Sequence, residues 1–187
     1  MEYRCQYYTE GCEFVSTSQF TKSHEAHCPY RQFDCPFSVV VTKNFCWRGK
    51  LSGMWDHLSC KHTALALPKE TYFTFTVDFA VSGLLYRTLH ARGEIFFVVC
   101  RMINQDLYCC VLYVGPEEKA SEYKYRIILT RPSCSHMTLY LPTQPYFVDT
   151  EALFRNMDCA IFLHGVRSGH GYGFTGLGSC EVQIGYR

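Results

Sequence analysis

No two cysteines in this chain stand three residues apart, no apolar stretch is long enough to cross a bilayer, and no cluster of basic residues breaks the even scatter of charge. Each absence removes a class of function. Apolar runs such as Ile95–Cys100 fall far short of the roughly 20 residues a membrane helix needs, so no membrane partner is expected. The opening MEYRCQYYTEGC has no apolar core behind a positive start, and the chain reads as soluble and unsecreted. Formal net charge is +1, with seven Lys/Arg against six Asp/Glu in residues 1–62 and eleven of each sign in the rest, so nothing advertises nucleic acid. Six glycines between Gly165 and Gly178 resemble a phosphate loop only in composition. They lack the Gly-Lys-Ser/Thr ending and the strand-to-helix setting, and read as a flexible β connection.

What is present divides at about residues 63–70, where Pro68 sits. The 187 residues suffice for one well-buried core plus a small appendage. After the boundary come strand-length runs of apolar, β-branched and aromatic residues: 72–80, 95–103, 107–114, 123–129, 137–141, 159–163 and 180–184. Turn chemistry such as Gly115-Pro116 and Arg131-Pro132 separates them, and the spacing predicts an antiparallel sandwich or barrel. Helical signals are few: Asp149-Thr150 before Glu151 predicts a short capped helix, and 54–61 another.

The first 62 residues are too broken by Gly11, Pro29, Pro36 and Gly49 for a conventional core. They hold instead two four-ligand sets, Cys5-x6-Cys12-x11-His24-x3-Cys28 and Cys35-x10-Cys46-x10-His57-x4-His62. A disulfide framework has no need of interleaved histidines, whereas a closed tetrahedral zinc site takes four such ligands. A paired loop brings in the first two of each set. A helix turn brings in the last two, because residues three to five apart project from nearly one helix face. Segments of 24 and 28 residues cannot bury enough apolar surface to fold alone, so two structural Zn2+ ions are expected to supply the folding free energy. His27 and Cys60 are decoys within the sets, although Cys60 competes with His62 for the last position.

The gaps of six and ten residues between first ligands exceed those of DNA-reading fingers, and Met54, Trp55 and Asp56 stand where base-reading Arg or Asn would be needed. A zinc-stabilised nucleic-acid binder is therefore the weakest reading. No catalytic residue is expected. Cys159 beside Asp158 and near His164 sits in an apolar strand run and reads as a buried structural thiol, and Cys109-Cys110 would point to opposite faces of a strand.

The segments CQYYTEGC, HEAHC, YRQFDCP, CWRGKL and HLSCKH resemble the paired zinc fingers of the seven-in-absentia (SIAH) ubiquitin ligases. The likeness continues more loosely through KYRIIL, the short helix and MDCAIF, and the eight ligand positions match one by one. It implies a mainly β (α+β) chain with tandem fingers at 5–28 and 35–62, then an eight-stranded TRAF-like sandwich over 63–187. It further implies a homodimer that selects target proteins for ubiquitin-dependent proteasomal degradation, in the cytoplasm, with the nucleus as a second compartment. A ubiquitin-conjugating enzyme joins as a partner only where a RING lies upstream, because a RING needs C-x2-C pairs that residues 1–187 lack. The alternative is a RING-less adaptor or dominant-negative relative.

In that family a groove takes an extended peptide of the target alongside a strand. The matching strand here is 82–89, where Gly83, Leu85 and Arg87 replace an apolar and aromatic pattern. Arg87 is expected to favour an acidic residue in the captured segment.

Overall fold

The computed structural model describes residues 1–40, 47–67, 71–79, 81–130, 136–163 and 177–186. The chain divides into two compact units, Met1–His62 and Thr63–Arg187. No described helix is long and apolar enough to cross a membrane.

The first unit is two hairpin-plus-helix modules in series. β1 (Tyr3–Arg4) pairs antiparallel with β2 (Val15–Ser16), and α1 (Ser18–His27) follows. Thr21, buried on α1, donates its hydroxyl to the carbonyls of Tyr3 and Ser16 at 3.2 Å, tying the helix to both strands. Gly11 lies at φ 107°, a left-handed turn in which an L side chain is strained. In the second module β3 (Gln32–Asp34) leads into the four-residue α2 (Phe37–Val40), then β4 (Arg48–Lys50) and α3 (Leu51–Lys61). β3 and β4 pair antiparallel, and α3 buries Met54 and Leu58 completely. α3 starts one turn earlier than the expected 54–61.

The second unit contains β5 (Ala66–Leu67), β6 (Tyr72–Asp78), β7 (Leu84–Ala91), β8 (Glu94–Ile103), β9 (Asp106–Val114), α4 (Glu117–Ala120) and β10 (Tyr123–Thr130). It continues with β11 (His136–Pro142), β12 (Gln144–Pro145), α5 (Thr150–Arg155), β13 (Ala160–Phe162) and β14 (Leu177–Tyr186). One sheet runs β11-β10-β14-β6 and the other β12-β9-β8-β7-β5, with β13 also on β9. These are two separate sheets, so the sandwich and not the barrel is the outcome. Alternate side chains from both meet in one core: Phe73, Tyr125, Ile127 and Val182 from the first, Phe96, Val98, Val111 and Phe162 from the second. Tyr125 crosses between the sheets to donate its hydroxyl to the Cys109 carbonyl at 3.0 Å.

Two features differ from expectation. Among the described residues the second unit has ten strands where the resemblance implied eight, because β5 and β12 are two-residue additions. Both pair in parallel, β5 with β7 and β12 with β9, within an otherwise antiparallel fold. The strand expected at 82–89 is displaced to Leu84–Ala91. Its register is set by a two-residue hairpin loop, Arg92-Gly93, with both φ values positive at 57° and 78°. The β8–β9 loop, Asn104-Gln105, repeats that geometry at 50° and 70°, the form whose twist suits a tight hairpin. The expected helix after Asp149 is present, and the Asp149 carboxylate accepts from the Glu151 N–H at 3.0 Å. Of the glycine-rich stretch from Gly165, all but Leu177-Gly178 lies outside the described residues, as do Pro68, Arg131-Pro132 and His164.

Candidate functional site

The ligand atoms of Cys5, Cys12, His24 and Cys28 all lie within 4.8 Å of one another. Cys5 follows β1 and Cys12 follows a short helical turn at Tyr8–Glu10, while His24 sits in the last turn of α1 and Cys28 caps it. The hairpin register continues through the Cys5 N–H, which bonds to the Phe14 carbonyl at 3.0 Å, and so presents the two thiols on one side. The Sγ atoms of Cys5 and Cys28 are 3.8 Å apart and Cys12 Sγ stands 3.2 Å from His24 Nε2. Two thiolates sharing a tetrahedral zinc with bonds of about 2.3 Å are separated by about 3.8 Å, whereas a disulfide needs about 2.05 Å. The sulfur spacing therefore fits a shared metal.

Cys35, His57 and His62 converge in the same way, within 4.8 Å. Cys35 follows the strand β3, its N–H bonded to the Trp47 carbonyl at 3.0 Å; His57 projects from α3 and His62 caps it. Cys35 Sγ lies 3.4 Å from His62 Nε2. His57 Nε2 is buried with no hydrogen-bond partner. A buried imidazole nitrogen left with a lone pair and no donor costs free energy unless something coordinates it, and a zinc ion would. Cys46, expected as the fourth ligand, lies outside the described residues. Cys60 is exposed and His27, also exposed, bonds through Nδ1 to the Ser23 carbonyl at 3.0 Å; neither joins a cluster.

Burial tunes these groups for metal. It lowers the pKa of both His57 and His62, with His62 and Lys61 adding repulsion at His57, so the imidazoles stay in the neutral form that can ligate. Burial pushes the Cys5 thiol up to about 11 and raises Cys35 as well. The Phe14 backbone N–H favours the Cys12 thiolate and lowers its pKa, ahead of an opposing burial effect. A dication supplies what the raised thiols need in order to lose their protons.

One group of residues escaped the sequence reading. Each described ligand histidine is stacked on an aromatic ring: Phe14 on His24 at 4.0 Å and 10°, Phe37 on His62 at 4.3 Å and 27°, Trp47 on His57 at 4.7 Å and 10°. The signal was legible, because Phe14 and Phe37 each follow a ligand cysteine by two residues and Trp47 follows Cys46 by one. Trp47 also explains Gly49, where a Cβ would come within 2.8 Å of its ring.

The expected peptide positions lie at one end of the sandwich. Gly83 and Leu85 line a cavity of about 180 Å³ between β6 and β7, with Val77, Val81, Leu84 and Met102. Hairpin geometry places the backbone groups of Gly83, Leu85 and Arg87 towards β8, as the 2.9 Å bond from the Met102 N–H to the Gly83 carbonyl shows. Those of Leu84, Tyr86 and Thr88 then turn to the outer edge of the sheet. β5 pairs that edge only at Thr88 and Leu89. Arg87 is half-buried, and its guanidinium donates to the Tyr86 carbonyl at 2.7 Å.

Comparison with known proteins agrees with this arrangement. The family described as Sina, zinc finger, matches residues 1–75. E3 ubiquitin-protein ligase sina of Schistosoma mansoni is 27% identical over 132 residues, covering 67% of this chain and 35% of that protein. E3 ubiquitin-protein ligase SIAH2 of Homo sapiens is 24% identical over 166 residues, covering 84% and 50%, and siah2 of Xenopus laevis is 24% identical over the same length. The chain spans about half or less of the length of these relatives.

Proposed function

We propose that the chain, whose residues 1–75 match the Sina zinc finger family, is a zinc-binding relative of the seven-in-absentia ligases and acts as a substrate-recognition module that holds target proteins by an extended segment for ubiquitin-dependent turnover. Two structural zinc ions hold the fingers, one on Cys5, Cys12, His24 and Cys28, the other on Cys35, Cys46, His57 and His62. Both sets are closed, with no open position for a substrate or an activated water, so the metal's chemistry is folding.

The observation that carries the peptide-binding part is the edge of β7. From Leu84 to Arg87 it runs beyond the reach of β5, and beside it opens the apolar cavity lined by Gly83 and Leu85. An added strand draws affinity from backbone bonds and selectivity from alternate side chains entering pockets. Gly83 leaves room there, since a Cβ would meet nothing within 4 Å. Arg87, whose guanidinium bonds the Tyr86 carbonyl, adds a cation on the same strand for an acidic residue of the segment. The module is read as a cytoplasmic homodimer joined through the sandwich, and a monomer in sedimentation at micromolar concentration would remove that part.

The test is strand addition itself. Tyr86→Pro deletes an N–H aimed at the outer edge while leaving the β7–β8 bonds, which use Leu85 and Arg87. Selected target segments should bind the native protein and lose at least tenfold in affinity to Tyr86→Pro. Arg87→Ala should lose less, and only for acidic segments, with the loss shrinking as salt rises. Binding indifferent to both changes would rule the edge out.

A further inference from the structure

Five cysteines are buried among the described residues of the second unit, and one pair is placed for chemistry that neither the zinc sites nor peptide capture uses. Cys100 on β8 and Cys109 on β9 are direct cross-strand partners. The β8–β9 loop closes on the bonded pair Ile103/Asp106, and bonded and non-bonded pairs then alternate along the ladder. Counting back from the loop makes Cys100/Cys109 a non-hydrogen-bonded pair, the kind whose Cα atoms come within about 4.5 Å. A disulfide accepts Cα separations of about 4.4–6.8 Å.

The side chains agree with the backbone. Both face the core, at 1% and 0% exposure, and their Sγ atoms are 2.8 Å apart. Cys110, the next residue, points to the opposite face of β9 and pairs with Val99. Cys180 approaches from the facing sheet as a further member of the same core, but its cross-strand partners are Leu129 and Phe75.

We propose that Cys100 and Cys109 are an oxidisable dithiol that closes a cross-strand disulfide inside the sandwich under a hydroperoxide. One thiolate attacks the peroxide oxygen, becoming a sulfenic acid and releasing the other oxygen as water or an alcohol. The second thiolate then attacks the sulfenic sulfur and expels hydroxide, which leaves as water. Two thiols are oxidised by two electrons and one O–O bond is reduced. Burial raises the pKa of Cys100 and lifts that of Cys109 well above the ordinary thiol range, so both are held protonated in the closed core. Oxidation then waits on local opening of the hairpin, which makes the reaction slow but selective for the pair already in register. Cys100 also lines the cavity beside β7, so the new bond would form under its floor.

Zinc-loaded protein of residues 1–187 is treated with hydrogen peroxide, alkylated in denaturant and digested with trypsin without reduction. The expected product joins the peptide 93–101 to the peptide 102–119, two hydrogens lighter than the two reduced peptides together and released by a reducing agent. The link should persist in Cys110→Ala, vanish in Cys109→Ala, and give way to mixed pairings when the wild-type chain is oxidised in urea. Recovery of both peptides as alkylated thiols while exposed Cys60 is oxidised would overturn the proposal. So would a native link that survives Cys109→Ala and is lost in Cys110→Ala. The wild-type measurement stands even where a variant fails to fold.

Discussion

Cysteine means different things in the two units of this molecule. In the first finger Cys5, Cys12 and Cys28 are themselves the buried cluster, with Tyr7 and Tyr30 packed around them. In the sandwich Cys100, Cys109 and Cys180 are minor members of a core built from Phe, Tyr, Val, Ile and Leu of two sheets. The same side chain is a ligand where the surroundings are small and rich in histidine, and a compact hydrophobe where they are large and apolar. The contrast teaches where the stability of each unit resides: coordination bonds in one, area removed from water in the other.

The largest test of that contrast is removal of zinc. Coordination contributes on the order of 10 kcal/mol in peptides of this size, more than any other single term in the first unit. A strong chelator should melt α1 and α3, seen as lost helical circular dichroism and rapid proteolysis within residues 1–62. Residues from Tyr72 onward should keep their slow amide exchange. Acid should act in the same direction, because His57, His62 and the thiolates must all shed protons to bind and regain them as pH falls. Collapse of both units together would break the comparison.

The converse test removes apolar volume from the sandwich. Phe96 has no exposed surface and meets Tyr113 at 5.7 Å and Tyr123 at 5.1 Å, joining the two sheets. Phe96→Ala should lower stability by about 3–5 kcal/mol in urea unfolding of the second unit. The number of zinc ions retained per chain should not change, and a loss of metal in this variant would show that the finger unit leans on the sandwich.

These expectations follow the parts of the sequence that were legible. Ligand spacing is visible because a metal demands particular atoms, and strand runs are visible because a buried sheet demands continuous apolar stretches. The shift of β7 by two residues was hidden, since its register depends on Arg92 adopting a positive φ, which composition does not announce. β5 and β12 were hidden because two residues carry no periodicity. Their parallel pairing is a product of the assembled sheet. At the zinc sites the ligands were readable and the stacked rings were overlooked, because aromatic residues are common throughout this chain.

Those rings offer the finest test of the contrast, since they are an apolar element in direct contact with the ligands of the unit assigned to coordination. Phe14 lies flat on His24, nearly parallel at 10°, and is itself partly exposed at 37%. It orients the imidazole and shields the Cys12–His24 side of the site from water. Aromatic pairs of this kind contribute roughly 0.5–1.5 kcal/mol beyond their area, and groups that orient a ligand typically influence metal affinity by about tenfold or more. Phe14→Ala should therefore speed zinc transfer from the first site to a competing chelator by about tenfold. The second site, whose rings come from Phe37 and Trp47, should release zinc at its native rate. Phe14→Tyr keeps the stacking face and should restore the slow rate, which a purely steric role for the bulk at this position would also allow. Phe14→Leu separates the two, because it keeps bulk without a ring face. Release as slow as native in Phe14→Leu would reduce the ring to a lid. Loss of all zinc from the first site in Phe14→Ala would instead make packing an equal partner of coordination there, and the division between the two units would fail at its smallest term.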